Sequence, residues 1–217
     1  WDTAANVWNL TDNSLIATYY VHLYAIISGI YLSNGLIATA DRGFPVSSMR
    51  IWNYRSGGST LLSIQMEGFS AGALAEVSQS GQLIAAGCSD GSVRIYSYLD
   101  GSLYSHISTG FTSFIDSLVL YSSDTLLSTQ MGGYMLVYEW KAGTVSQIVE
   151  TGSSIDSVYG NIAKLANGSL LTAGDAGDMK IWSLTSTSTN HSSSSFQVSL
   201  LAEFNTNKNL SFLLPFY

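Results

Sequence analysis

Short, mainly apolar runs recur along most of the chain and are separated by small or polar residues. Runs of about four to eight such residues are typical of β-strands, and they include GIYL, LIATA, LIAAG, SLVLY and MLVYEW. Between them lie small or polar residue pairs of the kind that form tight hairpins. These pairs recur about every 22 residues, at Asp12-Asn13, Asn34-Gly35, Gly57-Gly58, Ser80-Gly81, Asp100-Gly101, Ser123-Asp124, Ala142-Gly143 and Asn167-Gly168.

A second pattern repeats with twice that spacing. A β-branched residue is followed by a large aromatic residue at Val7-Trp8, Ile51-Trp52, Ile95-Tyr96, Val137-Tyr138 and Ile181-Trp182. The first members of these pairs are 44, 44, 42 and 44 residues apart. A fixed period over five copies indicates a repeat architecture. Because each period contains two tight hairpins, every unit is predicted to be a four-stranded antiparallel meander.

Longer and more variable loops separate the remaining strands. They read ADRGF, SDGS, QMGG and GDAGD before the aromatic pair, and MEGFSAG, STGFTSFIDS and ETGSSIDS before the next unit. Successive turns of a meander alternate ends, so these loops are predicted to lie at the end opposite the tight hairpins.

The segment CSDGSVRIYSY, residues 88–98, is similar to the strand-turn-strand consensus of the WD-repeat (tryptophan-aspartate repeat) family of β-propellers, and GDAGDMKIWSL and WDTAANVWNL are looser versions. The resemblance covers nearly the whole chain. It implies an all-β propeller of four-stranded antiparallel blades, with about five repeats of 42–44 residues and an incomplete first blade. The implied divisions are a partial blade at 1–20, repeats at about 21–66, 67–108, 109–150 and 151–204, and a tail at 205–217. The structural repeat residues would be Trp8, Trp52, Asp90, Tyr96, Tyr138 and Trp182.

The copies also depart from the family pattern. The Gly-His pair that opens each repeat is replaced by Gly68-Phe69, Gly110-Phe111 and Gly152-Ser153, and His22 and His106 lie a few residues early for that position. We therefore expect the family's hydrogen-bonded His, Ser/Thr, Asp and Trp side chains to be incomplete in every blade. Blade stacking would then depend mainly on apolar burial.

The sequence opens partway through a unit, which leaves two interpretations of the whole. Either the last 13 residues form one strand that closes a five-bladed ring, or the chain is part of a longer propeller. We favour the second, because an open ring exposes strand edges.

The composition of the chain limits the kinds of molecule that it is expected to bind. The formal net charge is -7, and charged residues make up 11% of the chain against roughly 25% in an average domain. No basic stripe is present, so nucleic acid is not an expected partner. The uncharged stretch from Leu15 to Ala40 imitates a membrane span, but its Asn34-Gly35 turn and its many Tyr, Ile and Thr residues favour strands. No membrane span is expected.

Catalytic and metal-binding patterns are sparse. His22, His106 and His191 have no metal-ligand spacing and are predicted to be structural or exposed. Ser70 and Ser89 occur in G-x-S-x-G patterns, but a nucleophile elbow needs a strand followed by a helix, and both are predicted to lie between strands. The single cysteine, Cys88, excludes an internal disulfide and is predicted to be buried and inert. We therefore expect no enzyme activity, no metal and no cofactor.

Candidate binding residues lie on the longer loops. Loop phenylalanines are natural anchors for a partner, or they pack inward, and the repeated IDS tripeptide places an Asp at the entry to the innermost strand of two units. Those carboxylates would form an acidic rim around the central channel, or would satisfy backbone donors. The candidates are Arg42, Phe44, Phe69, Phe111, Phe114, Asp116, Asp156 and Asp175.

The predicted function is a noncatalytic scaffold that binds a protein or peptide through these loops. One alternative is a propeller enzyme or small-ligand binder with its site at the central channel. Another is a secreted, glycosylated interaction module, since N-x-S/T sequons occur at Asn9, Asn167, Asn190 and Asn209. A cytoplasmic location is the default, and an extracellular one stays open. Residues 183–196, SLTSTSTNHSSSSF, are predicted to be a low-complexity outer loop.

Overall fold

The computed structural model describes residues 3–20, 22–43, 45–152, 161–174, 177–187 and 195–205. These residues form β-strands joined by short connections, with one turn of 3-10 helix at Tyr54–Ser56. The strands β1 to β18 are, in chain order, Ala5–Trp8, Leu15–Tyr19, Ile26–Tyr31, Ile37–Asp41, Val46–Asn53, Ser59–Glu67, Ala71–Ser78, Leu83–Cys88, Val93–Ser97, Leu103–Ile107, Ile115–Leu120, Thr125–Gln130, Tyr134–Glu139, Thr144–Glu150, Asn161–Lys164, Leu170–Ala173, Asp178–Thr187 and Ser195–Asn205.

The strands form one two-stranded and four four-stranded sheets. Sheet 1 is β1-β2, sheet 2 is β3-β4-β5-β6, sheet 3 is β7-β8-β9-β10, sheet 4 is β11-β12-β13-β14 and sheet 5 is β15-β16-β17-β18. Every pairing is antiparallel and joins consecutive strands. The predicted four-stranded meander is thus confirmed in four units. The repetition fits a propeller-like architecture.

One irregularity recurs at the same step of all five sheets. The register shifts where the strand carrying the β-branched and aromatic pair meets the strand after it, as between Ile51 and Trp52 in sheet 2. Such a bulge bends and twists the strand locally. The repeat in the sequence therefore coincides with a repeated irregularity of the backbone.

Three buried apolar clusters lie between adjacent sheets. Sheets 2 and 3 share the first, where Met49 and Ile51 pack with Leu74 and Ile84. Sheets 3 and 4 share the second, and sheets 4 and 5 share the third. Burial of alternate residues on both faces explains why the second strand of sheets 3 and 4 is buried along its whole length.

The uncharged stretch from Leu15 to Ala40 contains β2, β3 and the start of β4, as predicted. No helix in the described parts of the chain is long and apolar enough to cross a membrane. The prediction of an outer loop over 183–196 was wrong at both ends. β17 continues to Thr187 and β18 begins at Ser195, because Phe196 and Val198 pack against the third apolar cluster.

Candidate binding face

A buried polar network fixes the loop before sheet 2. His22 Nδ1 lies 2.7 Å from Asp41 Oδ2, and its Nε2 lies 2.8 Å from Thr39 Oγ1. The indole Nε1 of Trp52 donates to the same Thr39 hydroxyl at 3.2 Å. All four residues are at most 3% exposed. The expectation that this set would be incomplete in every unit was therefore wrong for sheet 2.

The network also lowers the pKa of Asp41. Burial alone would raise it, but hydrogen bonds from His22 and from the side chain and backbone of Ser48 outweigh burial and hold it below its ordinary value. Tyr19 stacks on Trp52 at 4.4 Å between ring centroids. The stack of Tyr19 on Trp52 packs sheet 1 against sheet 2.

In sheets 4 and 5, the described residues show the bond between the aromatic residue and a hydroxyl residue that Trp52 and Thr39 make in sheet 2. Tyr138 shares a 2.6 Å hydrogen bond with Ser128, and Trp182 donates to Thr172 at 2.9 Å. The hydroxyl residue in each case pairs across the sheet with the residue two positions before the aromatic. Thr39 has the same relation to Trp52. That register is the sequence signal which could have located these bonds.

Sheet 3 has a different arrangement at the equivalent place. Asp90 accepts from the backbone and hydroxyl of Ser92, at 3.1 and 2.6 Å, and from Arg94 at 2.8 Å. These bonds confirm that Asp90 holds a turn. Burial raises the pKa of Asp90, but the hydrogen bonds from Arg94 and Ser92 outweigh it and lower the pKa to about 2. The guanidinium of Arg94 also lies 3.7 Å from the ring centroid of Phe69.

The longer loops meet at one end of the sheets, opposite the tight hairpins, and we call this end the loop face. It comprises residues 22–25, 42–43, 68–70, 89–92, 108–114 and 131–133. Bonds between successive loops join it: Ser89 N donates to Ser70 O at 2.8 Å, and Thr109 Oγ1 donates to Gly91 O at 2.6 Å. The loops are thus held by one another as well as by the strands.

Two predicted binding residues from different sheets meet at the centre of this face. The guanidinium of Arg42, in the turn before β5, lies 5.2 Å from the ring centroid of Phe114, in the loop before β11. The Phe114 ring packs directly on Gly72, where any Cβ would overlap the ring. Arg42 is exposed and Phe114 is half-buried. A cation over an aromatic face is an attractive contact, so the two side chains form one partly exposed surface.

Phe69 and Phe111 of the loop face are half-buried. Phe69 packs against the first apolar cluster and Phe111 against the second. Phe111 also lies 5.0 Å from Tyr134, ring to ring. Exposed apolar side chains of the face are Leu23, Tyr24 and Met131, at 81%, 40% and 41% exposure. The candidates Phe44, Asp156 and Asp175 lie outside the described residues.

Residues of β3, β7, β11 and β15 line one groove of about 660 Å³, which we call the central groove. Its described lining includes the charged residues Asp116, Glu76 and Lys164. The Glu76 carboxylate accepts from Ser33 in sheet 2 and from Tyr98, and Lys164 donates to the Tyr121 carbonyl at 2.6 Å. Two of the three charges thus connect strands and sheets. Asp116 lies half-buried at the start of β11, where the rim was predicted.

The serines and the cysteine that were predicted to be inert lie in turns and at the end of a buried strand. His106 is exposed on β10, and His191 lies outside the described residues. Ser70 and Ser89 lie between strands, and the Ser89 hydroxyl accepts from Ser70 N at 3.0 Å. Burial raises the pKa of the Cys88 thiol to about 11. Among the described residues, no group of three His, Cys, Asp or Glu side chains is placed to hold a metal ion.

Comparison with known proteins adds no family to this geometry. Neither the scan against protein-family models nor the search of curated proteins found a match to this chain. The functional argument therefore depends on the loop face itself.

Proposed function

We propose that the chain is a noncatalytic propeller of the WD-repeat type that binds a peptide segment of a partner protein on the loop face. The repeated four-stranded sheets support this proposal. So does the buried network of His22, Asp41, Thr39 and Trp52, whose residue types are those that the WD-repeat resemblance implies.

The contact of Arg42 with Phe114 carries the proposal. It joins sheets 2 and 4 across the centre of the loop face, and it rests on a glycine that leaves room for the ring. Interfaces are enriched in aromatic, Met and Arg side chains, and Tyr24 and Met131 are exposed on the same face. The loops are tied to each other, so a partner would meet an ordered surface and little freedom would be lost on binding.

Binding at the central groove is the second candidate, and it is less well supported. Glu76 and Lys164, two of its charged lining residues, already serve contacts between strands and sheets. A site for catalysis or for a small polar ligand needs several converging groups that are available to the ligand.

A random peptide library displayed on phage tests the proposal, with the full chain immobilised as bait. Peptides selected on the wild-type chain should bind Arg42→Ala and Phe114→Ala at least about tenfold more weakly, because truncating a central anchor typically costs more than 1 kcal/mol. The matched control is Arg55→Ala, since Arg55 lies 4.8 Å over Tyr54 at the hairpin end. Thermal unfolding confirms that each variant is folded.

Two outcomes would contradict the proposal. Selected peptides that bind both loop-face variants as well as the wild type, or that lose affinity only for Arg55→Ala, would place binding elsewhere. A library that yields no binder for the wild-type chain would argue against a peptide-binding scaffold.

A further inference from the structure

Arg42 carries the one charge of the described loop face that has no partner of opposite charge. Its guanidinium lies over the Phe114 ring, and a contact with a ring face provides no hydrogen-bond acceptor for the five N–H donors of the group. The other ionisable side chains in this part of the loop face are paired: Asp90 with Arg94, and His22 with Asp41. The face therefore offers a partner one positive charge with unused donors.

Both the backbone and the charged end of Arg42 are held in place. Its backbone N–H donates to the Ala25 carbonyl at 2.9 Å, and its guanidinium rests on the packed ring of Phe114. The next residue, Gly43, is buried, and the Tyr24 ring packs on it so closely that any Cβ there would overlap the ring. A side chain that is held before binding loses less conformational freedom when a partner binds. The position of this charge is thus set by the fold.

Exposed apolar side chains come from both of the loops that meet at this charge. The loop before β3 contributes Leu23 and Tyr24, which are exposed. In sheet 4, the exposed Met131 donates its backbone N–H to the Phe114 carbonyl at 3.3 Å. A carboxylate that binds Arg42 among such groups would be partly shielded from water, and shielding strengthens the attraction between opposite charges. The surface is therefore suited to an anionic group with apolar neighbours.

Local charges decide which anion fits this surface. The formal net charge of the chain is -7, but exposed charges farther away than about 8 Å are screened at physiological ionic strength. Asp116, the carboxylate nearest to Phe114 along the chain, lines the central groove. A single guanidinium matches the single charge and the two oxygens of a carboxylate. A phosphate group carries nearly two charges, and the described loop face has no second Lys or Arg to balance them.

We propose that the peptide bound on the loop face carries an Asp or Glu side chain whose carboxylate accepts two hydrogen bonds from the Arg42 guanidinium. Apolar residues before and after it in the peptide contact Leu23, Tyr24 and Met131. This inference rests on the proposed function and adds the chemistry of the partner. The partner segment is thus acidic and apolar, whereas the net charge of the chain alone would favour a basic one.

The peptides selected from the displayed library on the full wild-type chain test this inference. Asp or Glu should be enriched at one position between apolar residues. A selected peptide in which that residue is replaced by its amide, Asn or Gln, should bind the wild-type chain at least about tenfold more weakly, because a charge-assisted bidentate pair is lost. On Arg42→Gln, the acidic and amide peptides should bind about equally. The matched control is Arg55→Gln, since Arg55 is also exposed and lies over Tyr54, and it should keep the preference for the acidic peptide.

The outcomes separate this inference from the proposed function. Peptides that bind the loop face without enriched Asp or Glu, or that bind equally well as acid and amide, would overturn the inference and leave the proposed function standing. A preference that Arg55→Gln loses as fully as Arg42→Gln does would also overturn it. A phosphoserine peptide that binds more than about tenfold tighter than the acidic peptide would indicate a phosphopeptide partner instead. Absence of any peptide that binds the loop face would overturn both.

Discussion

Sheets 2 and 3 have the same backbone plan but stabilise their loop-face ends differently. In sheet 2, the His22, Asp41, Thr39 and Trp52 side chains form a buried hydrogen-bonded set. In sheet 2, Thr39 pairs across the sheet with Arg50. At the equivalent position of sheet 3, Ala86 pairs with Arg94 and offers no hydroxyl. The polar contact of sheet 3 is instead the partly exposed ion pair of Asp90 and Arg94, whose side chains are 39% and 14% exposed.

The two sheets thus stabilise the loop-face end of the same repeat in two physically different ways. A buried polar set holds its partners strongly only when every member is satisfied. A partly exposed ion pair adds little stability but leaves the interior apolar. The apolar core is thus the common requirement of both sheets, and the polar contacts vary between copies.

Among the substitutions that test this comparison, removal of His22 should lower the free energy of unfolding the most. His22→Ala removes one of the two partners that lie 2.7 Å from Asp41 Oδ2, the other being the Ser48 hydroxyl, and losing a hydrogen bond to a buried charged group costs about 3 kcal/mol. Chemical denaturation of the variant should show this decrease in the free energy of unfolding. His106→Ala is the control, because His106 is exposed on β10 and should change stability little. Equal effects in both variants would contradict a stabilising role for the network.

Two tyrosines at the same repeat position test the bond between the aromatic residue and the hydroxyl residue. Tyr138→Phe removes a buried 2.6 Å hydrogen bond with Ser128 and should cost about 1 kcal/mol. Tyr96→Phe should cost less, since Ala86 of sheet 3 offers no hydroxyl at the equivalent position. Paired denaturation curves measure the difference. A larger loss for Tyr96→Phe would mean that the register argument is wrong.

The Asp90–Arg94 pair of sheet 3 should contribute less to the free energy of unfolding than the buried hydrogen bonds do, and its contribution should depend on pH. Asp90→Asn is expected to cost less than about 1 kcal/mol at neutral pH, because the pair is partly exposed. The folded-state pKa of Asp90 is about 2, below its ordinary value of 3.8. The ionised carboxylate therefore stabilises the fold above the ordinary value, and this contribution is lost as pH falls toward the folded-state value. The stability gap between wild type and variant should close near about pH 2. A gap that widens with acid would contradict the ion pair.

Alkylation of Cys88 tests whether the interior of sheet 3 is buried, and it is the test in which we expect the smallest effect on the folded chain. Its thiol is fully buried and its pKa is raised to about 11, so little thiolate forms at neutral pH. An alkylating reagent should modify the thiol only after denaturant is added, as followed by mass spectrometry. Rapid modification of the folded chain would show that the interior of sheet 3 is open.

The sheets could be predicted from the sequence because the strand-like runs, the turn residues and the aromatic pair all repeat. Each of these signals is local, and five copies reinforce one another. The polar network could not be predicted from the sequence by such local signals. His22 lies 17 residues from Thr39 and 19 from Asp41, and its distance from the following strand differs from the family spacing. Only the folded loop brings its ring to the two side chains.

The sequence named candidate residues for the loop face but did not predict how they are arranged. Arg42, Phe114 and Asp116 were named from loop position, but the contact between Arg42 and Phe114 spans sheet 3 and depends on Gly72. Phe69 and Phe111 were left between anchoring and packing, and their half-buried rings pack on the core.

Hydrogen exchange on the full chain bound to a library-selected peptide tests the central claim most directly. The account predicts slower exchange in the loops around Arg42, Gly72 and Phe114, with the tight hairpins near Gly57 and Gly143 unchanged. Protection confined to those hairpins, with unchanged exchange on the loop face, would contradict the account.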